Sequence, residues 1–341
     1  MWLYGKIANF RNALYEKGAL KSFPLGARTI SVGNITAGGT GKTPLVAFVA
    51  EVLAEKDENV CILTRGYGRE NSRRRVLVSD REKILTDVRT AGDEPFELAQ
   101  KLLGKAIVVA DADRVAAASW ALEKFDISVF VLDDAFQHRR AKRDLDIVAI
   151  DATNPFGGGK NFLREPLENL KRADAIVITR ANLIEDIEDL RSQISEYNSV
   201  CPIFTAKNKI SDLRKIEDFH AKAVAPALAG ALAEGPKILA FCALGNPDNF
   251  FDQLKQDGFN LISTKKFPDH HFYIQKDIEA LEKKARQTGA EVFIATAKDT
   301  VKLKDLVFNR PCYVATSEMI FDDEKKLRDL ISAVSNSKSQ I

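Results

Sequence analysis

Several things are scarce in this chain of 341 residues, and each scarcity removes a class of protein. There are four cysteines, Cys61, Cys201, Cys242 and Cys312, far apart and with no C-x-x-C pair. That excludes a disulfide framework and a zinc site and fits a reducing compartment. No apolar run approaches the ~18 residues a membrane-spanning helix needs. The formal net charge is only +2, so no polyelectrolyte surface invites nucleic acid. No internal repeat or large low-complexity segment interrupts a composition that is 45% hydrophobic and 29% charged, and the length is enough for two cores.

What is present is an alternation of short apolar runs with helical segments. Strands are expected at Thr29–Val32, Val60–Leu63, Ala106–Ala110, Val129–Leu132, Ile147–Ile150 and Ala175–Thr179, with helices such as Pro44–Ala54 and Glu94–Leu103 between them. This order implies a parallel sheet covered on both faces. From Ser199 the rhythm changes: "CPIFTAKNKISDLRKIEDF" alternates like a pair of exposed strands, and "AVAPALAGALAEGPK" reads as a linker or lid. A second series follows, with "KILAFCAL", "NLISTKKF", "EVFIATA" and "CYVAT" as strands. The expected organisation is an N-terminal helix over 1–28, an α/β domain over 29–200, a linker over 201–235 and a second α/β domain over 236–341.

The strongest chemical signal is "SVGNITAGGTGKTPLV", Ser31 to Val46. A strand runs into a glycine-rich turn and then a helix, which is the context of a phosphate-binding loop. Thr36 stands where the first Gly of G-x-x-x-x-G-K-[ST] should be, and Gly33 with the Gly38–Gly39 pair is expected to supply the backbone freedom. Thr36, Ala37, Gly38, Gly39, Thr40 and Gly41 would turn amide N–H groups toward phosphate oxygens. Lys42 adds a charge for the terminal phosphates, the Thr43 hydroxyl suits Mg²⁺, and Pro44 opens the helix. A metal partner is expected at the end of an apolar strand, and "FVLDDAFQH" offers Asp133 and Asp134 there.

Two related classes fit less well. The base-reading [NT]-K-x-D of GTPases is spoiled in "TAKDT", where Lys298 and Asp299 are adjacent. The partitioning and metallochaperone ATPases carry a second lysine in the loop where this chain has Ala37. A membrane-recruited ATPase switch of that kind is the alternative reading.

The motifs "VGNITAGGTGKTP", "RGYGR", "GDEP", "DDAFQH", "GGGKNFLREP", "GNPDNFF" and "FPDHHFY" occur in the order found in bacterial tetraacyldisaccharide 4'-kinases, and the chain resembles that family to about residue 305. Ala135 and Ala297 depart from it, at positions usually Gly and often Glu. The resemblance implies a P-loop α/β/α core and a smaller α/β/α domain joined by a short two-stranded linker. It implies transfer of the γ-phosphate of ATP, with Mg²⁺, to the 4'-hydroxyl of a tetraacylated glucosamine disaccharide 1-phosphate, giving lipid IVA. The place it implies is the cytoplasmic face of the inner membrane, as a peripheral protein.

The resemblance also implies roles. Asp93 becomes the base or orienter of the acceptor hydroxyl, where the residues alone allow a helix cap equally well. His270 pairs with it, with His271 as the competing assignment. Glu94 joins Thr43, Asp133 and Asp134 around the metal. Arg65, Tyr67 and Arg69, just past a strand end, take the substrate's phosphate and sugar, against the plainer reading of a solvated basic loop. The residues themselves add three more: Arg114, shortly after the Ala106–Ala110 strand and in reach of a phosphate; His138, open equally to supporting the metal carboxylates or contacting substrate; and Arg164, which with Glu165 shapes the substrate side.

The first 28 residues are basic: Lys6, Arg11, Lys17, Lys21 and Arg28 face one acid, Glu16. Leu3, Ile7, Phe10 and Leu14 recur at helical spacing behind Trp2. Such a helix either packs on the core or lies in a membrane interface; a substrate with four acyl chains favours the interface, through Trp2, Leu3, Ile7, Phe10 and Leu14.

Overall fold

The computed structural model describes residues 2–158, 162–220 and 235–333. In chain order α1 (Trp2–Glu16) precedes β1 (Arg28–Asn34), α2 (Lys42–Ala54), β2 (Val60–Thr64) and β3 (Val76–Asp80). Then come α3 (Val88–Ala91), α4 (Asp93–Lys101), β4 (Ala106–Ala110), α5 (Arg114–Lys124), β5 (Val129–Asp133), β6 (Leu145–Asp151) and β7 (Ala175–Thr179). They are followed by α6 (Ile187–Ser195), β8 (Ile203–Lys215), α7 (Ile216–His220), β9 (Ile238–Cys242) and α8 (Pro247–Gln256). The series closes with β10 (Leu261–Lys266), α9 (Gln275–Thr288), β11 (Val292–Thr296), α10 (Ala297–Thr300), β12 (Cys312–Phe321) and α11 (Glu324–Ala333).

The chain divides into two units, Met1–Lys207 with Phe321–Ile341, and Asn208–Ile320. In the first, the strand order is β8-β7-β6-β1-β5-β2-β4-β3. Every described pairing is parallel except that of β3 with β4. Strands β1, β2, β4, β5, β6 and β7 are buried along their whole length. Continuous apolar runs of this kind suit a parallel sheet covered on both faces. All six expected strands are present, and the edge strand β3 was not foreseen. The adjacent strands β1 and β6 connect in opposite directions, β1 to β2 and β6 to β7, and such a switch point is the place where ligands settle in these sheets.

In the second unit the order β10-β9-β11-β12 is parallel, and β12 is followed in the sheet by β8. Its core is aromatic: Phe241 meets Phe293, Tyr273 and Phe267 edge to face.

Three expectations differ in detail. The alternating stretch after Ser199 is one strand, β8, running into α7 rather than a strand pair; Phe204–Ala206, Ile210 and Leu213 are its buried positions, and the residues between them are partly or fully exposed. The last helix, α11, belongs with the first unit: Arg328 pairs with Glu55 and stacks on Phe48, which in turn packs on Phe321. The segment 221–234, read as linker or lid, lies outside the described residues.

Candidate active site

Five parallel strands of the first unit end at the same edge in a polar residue: Asn34, Thr64, Asp133, Asp151 and Thr179 at the ends of β1, β2, β5, β6 and β7. The phosphate loop rises from β1 among them. Asn34 donates from Nδ2 to the Thr36 carbonyl (2.6 Å) and to Thr40 Oγ1 (2.9 Å), and the Thr179 hydroxyl donates to the Thr40 carbonyl at 2.9 Å. Arg180 donates to the Gly39 carbonyl and pairs with Asp151. The loop is therefore held from below by side chains. Gly38 and Gly41 have positive φ, 111° and 76°, conformations natural to glycine. Gly33 serves another purpose than flexibility: a Cβ there would lie 2.6 Å from Phe136 Cβ. Its absence lets the "DDAFQH" turn approach β1. Helix α2 starts at Lys42, two residues before Pro44, with Gly41 as its cap.

Lys42 is buried and reaches Asp134 at 3.5 Å. Arg164 Nη1 spans both oxygens of the same carboxylate, at 2.7 and 2.8 Å. Burial alone would push Asp134 up, but Lys42 and Arg164 outweigh it and hold the carboxyl down at about 2. Asp134 has φ 51°, so this charged residue is held in a left-handed conformation. Asp133 accepts from the Thr64 hydroxyl at 2.7 Å. Burial, with the nearby negative charges of Glu94 and Asp134, pushes its carboxyl upward.

Asp93 is the first residue of α4, where its carboxylate opposes the positive helix end. Gly92, with φ 91°, is the cap residue, which removes the plain capping role from Asp93. A Cβ at Gly92 would stand 2.8 Å from the Tyr67 carbonyl, and one at Gly66 3.0 Å from the Ala91 carbonyl. Two glycines thus bring the "RGYGR" loop against the Asp93 turn. In that loop Arg65 and Tyr67 are exposed. Arg69 is buried and donates to the Ala110 and Ser72 carbonyls at 2.6 and 2.7 Å, which fixes the loop to β4.

Arg114 is buried behind the two aspartates. It donates to the Asp111 and Asp133 carbonyls at 3.0 and 3.1 Å, and burial pushes its guanidinium down to about 10. His138 is pushed down to about 4 by burial and by Arg114 and Arg143, so the ring is neutral near pH 7. Its buried Nε2 has no hydrogen-bond partner among the described residues.

In the second unit the two neighbouring histidines differ. His271 stacks on Phe267, with ring centres 5.0 Å apart, and its Nε2 meets Asp277, the carboxylate that also caps α9. His270 has φ 61° and stands 3.7 Å from Asp269. His271 is thus committed to the turn, and strain falls on His270.

Residues the sequence reading passed over include Asn34, Thr64, Asp151, Thr179 and Arg180. Each sits at or just past the end of an apolar run, and that position was the available signal. Among the described residues, no group of three or more His, Cys, Asp or Glu is gathered as a metal cluster. The carboxylates instead stand beside Lys42 and the loop, with Thr43 at the start of α2.

A parallel α/β unit with a glycine-rich loop at its switch point, a buried loop lysine and two aspartates ending the neighbouring strand defines a P-loop phosphotransferase of the kinase kind. Residues 1–336 match the family described as "Tetraacyldisaccharide-1-P 4'-kinase". A tetraacyldisaccharide 4'-kinase of Halothermothrix orenii is 40% identical, over 88% of this chain and 80% of that protein. One from Desulfotalea psychrophila is 35% identical, over 92% of this chain and 89% of that protein. The crystal structure of LpxK from Aquifex aeolicus in complex with ATP matches with a TM-score of 0.75 at 33% identity, covering 98% of this chain and 96% of that one. The chain belongs to the tetraacyldisaccharide-1-P 4'-kinase family. It is a phosphotransferase of lipid A biosynthesis, and the ATPase-switch alternative finds no support among these relatives.

Proposed function

We propose that this site transfers the γ-phosphate of ATP to the 4'-hydroxyl of tetraacyldisaccharide 1-phosphate, giving lipid IVA, with the phosphates cradled by Thr36–Pro44. The observation that carries this reading is the Lys42–Asp134–Arg164 group, its loop lysine buried and its two partners part-exposed, with Asp133 on Thr64 beside it.

Magnesium fits the donors present. Hard oxygen ligands are what it takes, and it keeps waters and substrate phosphates as the rest of its shell, so few protein ligands suffice. Asp133 is raised by burial first and then by the charges of Glu94 and Asp134, and a divalent cation relieves that repulsion. Thr43, Glu94, Asp133 and Asp134 would hold it, and when bound it neutralises charge on the transferred phosphoryl group. Lys42 adds fixed positive charge at the same place. A sugar hydroxyl is a weak nucleophile near neutral pH, and Asp93 receives its proton or orients it. His270 is assigned as the partner of Asp93 in that step. Arg65 and Tyr67, exposed on the neighbouring loop, are assigned to the sugar and its 1-phosphate. Arg69, Arg114 and Arg164 act on the same substrate side, chiefly by fixing the walls to which they are bonded, and His138 is assigned beside them.

The acceptor carries four acyl chains, so the enzyme works at a lipid surface, and α1 is the element suited to reach it. Ile7 and Phe10 are 58% and 68% exposed, and Lys6 and Lys17 are exposed near them. Leu14 is half-buried, and the side chains of Trp2 and Leu3 lie outside the described residues. The inner membrane's cytoplasmic surface, bound peripherally, is the assigned place.

The test is transfer of labelled γ-phosphate from Mg²⁺-ATP to detergent-dispersed tetraacyldisaccharide 1-phosphate. Labelled lipid from the wild type with a loss of about 10²-fold or more in Asp93→Ala supports the reading. Free phosphate released without labelled lipid overturns it.

A further inference from the structure

Helix α1 turns Ile7 and Phe10 to the outside and lays a face of small and amide side chains on the protein. Ile7 and Phe10 are exposed, whereas Ala8 and Asn12 are buried at 6% and 2% exposure. Gly5 stands where a Cβ would touch Pro166 at 3.4 Å, and Asn9 accepts from Asn169 at 2.9 Å. Residues 5, 8, 9 and 12 are one helical face. What that face rests on is the segment 163–166 and the turn after it.

At the centre of this seat is Glu165, fully buried at 0% exposure. Its Oε2 accepts from Asn12 Nδ2 at 2.8 Å and from Arg172 at 2.6 Å, and Arg172 lies 4.1 Å over the Phe136 ring. Glu165 Oε1 and Asn12 Oδ1 are buried and have no hydrogen-bond partner among the described residues. A buried polar group that is only half satisfied is poorly suited to stabilising a fold, since well-packed apolar side chains do that at lower cost. Its distinguishing property is that it permits a single geometry.

That geometry is passed directly to the phosphate loop. Leu163 bridges Thr36, Phe162 accepts from the Ala37 amide at 2.8 Å, and the Arg164 amide donates to the Ile35 carbonyl at 2.6 Å. Arg164 then holds Asp134 beside Lys42. Glu165 reaches the loop through its neighbour Arg164.

We propose that Asn12 and Glu165 are positioning residues for the phosphoryl transfer: they seat α1 on the segment 163–166 and thereby keep Arg164 on Asp134. This rests on the kinase reading above. The test is a double-mutant cycle on kcat for lipid phosphorylation, using Asn12→Ala, Glu165→Ala and Glu165→Gln, each alone and combined with Arg164→Lys, with thermal melting of every variant.

The expected result is a kcat lower by about tenfold in Asn12→Ala and Glu165→Ala, because a displaced catalytic group loses rate steeply. Glu165→Gln, which still offers an oxygen to Asn12, recovers part of it. On the Arg164→Lys background the same substitutions cost less than about twofold, since residues acting through one another are not additive. Losses that multiply with Arg164→Lys, or a kcat within about twofold of wild type in folded variants, overturn the proposal. Should Glu165→Ala fail to melt cooperatively, Asn12→Ala carries the same cycle. If the wild type phosphorylates no lipid, the kinase reading fails, which is a separate outcome from wild-type activity without coupling.

Discussion

At the scale of single residues, the site is built from groups whose charge is decided by their neighbours. Asp134 and Asp133 are adjacent in sequence, the first part-exposed and the second buried; Lys42 and Arg164 keep the first ionised, while burial pushes the second toward its neutral form. His138 is the clearest case for a pH measurement. Folding pushes it down to about 4 from an ordinary value of 6.5. As pH falls below about 6.5 the unfolded chain takes up the proton first, so the folded state loses stability through that window and holds it fully above. Melting temperature is therefore expected to fall less between about pH 7 and 5 in His138→Gln than in the wild type. Parallel slopes for the two proteins would remove His138 from the acid response. Arg69 and Arg114 show the limit of reading residue types alone. As sequence they are cations beside the expected ligand edge; in the structure their Nη donors are used on backbone carbonyls, and they hold loops in place.

At the scale of elements, the apolar periodicity of α1 was legible, but its direction was not. A stripe of Ile7, Phe10 and Leu14 ordinarily predicts burial against the core. Here Gly5, Asn9 and Asn12 make the inward face, because their partners are the polar groups of Glu165 and Asn169 and the ring of Pro166. Those partners lie about 150 residues away, and helical spacing cannot reveal them. This orientation also decides how membrane binding should be tested. Deleting the helix would remove Asn12 from the core, whereas Ile7→Asp with Phe10→Asp alters only the exposed face. Fully burying a side chain of this size contributes about 1.5–3 kcal/mol, and about 1.4 kcal/mol is tenfold in affinity. The double variant is expected to bind anionic phospholipid vesicles at least about tenfold more weakly. Its melting temperature should stay close to wild type, since exposed positions usually change stability by less than about 0.5 kcal/mol. Undiminished vesicle binding would move the membrane contact to another element.

At the scale of the whole chain, six of the parallel strands and the phosphate loop could be read directly, because strand burial and the G-K-T spacing are local properties. The edge strand β3 could not: its residues Val76–Asp80 follow a run of arginines, and only its antiparallel pairing with β4 defines it. The last helix was equally opaque, since α11 joins the first unit through Arg328 and Glu55, at opposite ends of the sequence. The proposed chemistry draws on both units, with Asp93 in one and His270 in the other. That makes a sharp expectation about their dependence on each other. If they act on the same proton, Asp93→Ala and His270→Ala each lower kcat by about 10²-fold or more, and the double variant is little worse than the more damaged single one. His271→Ala, by contrast, removes a ring stacked on Phe267 and bonded to Asp277, so its main effect should be on melting temperature. Losses from Asp93→Ala and His270→Ala that multiply would mean two independent roles. A large kcat loss in His271→Ala with unchanged melting would exchange the two histidines.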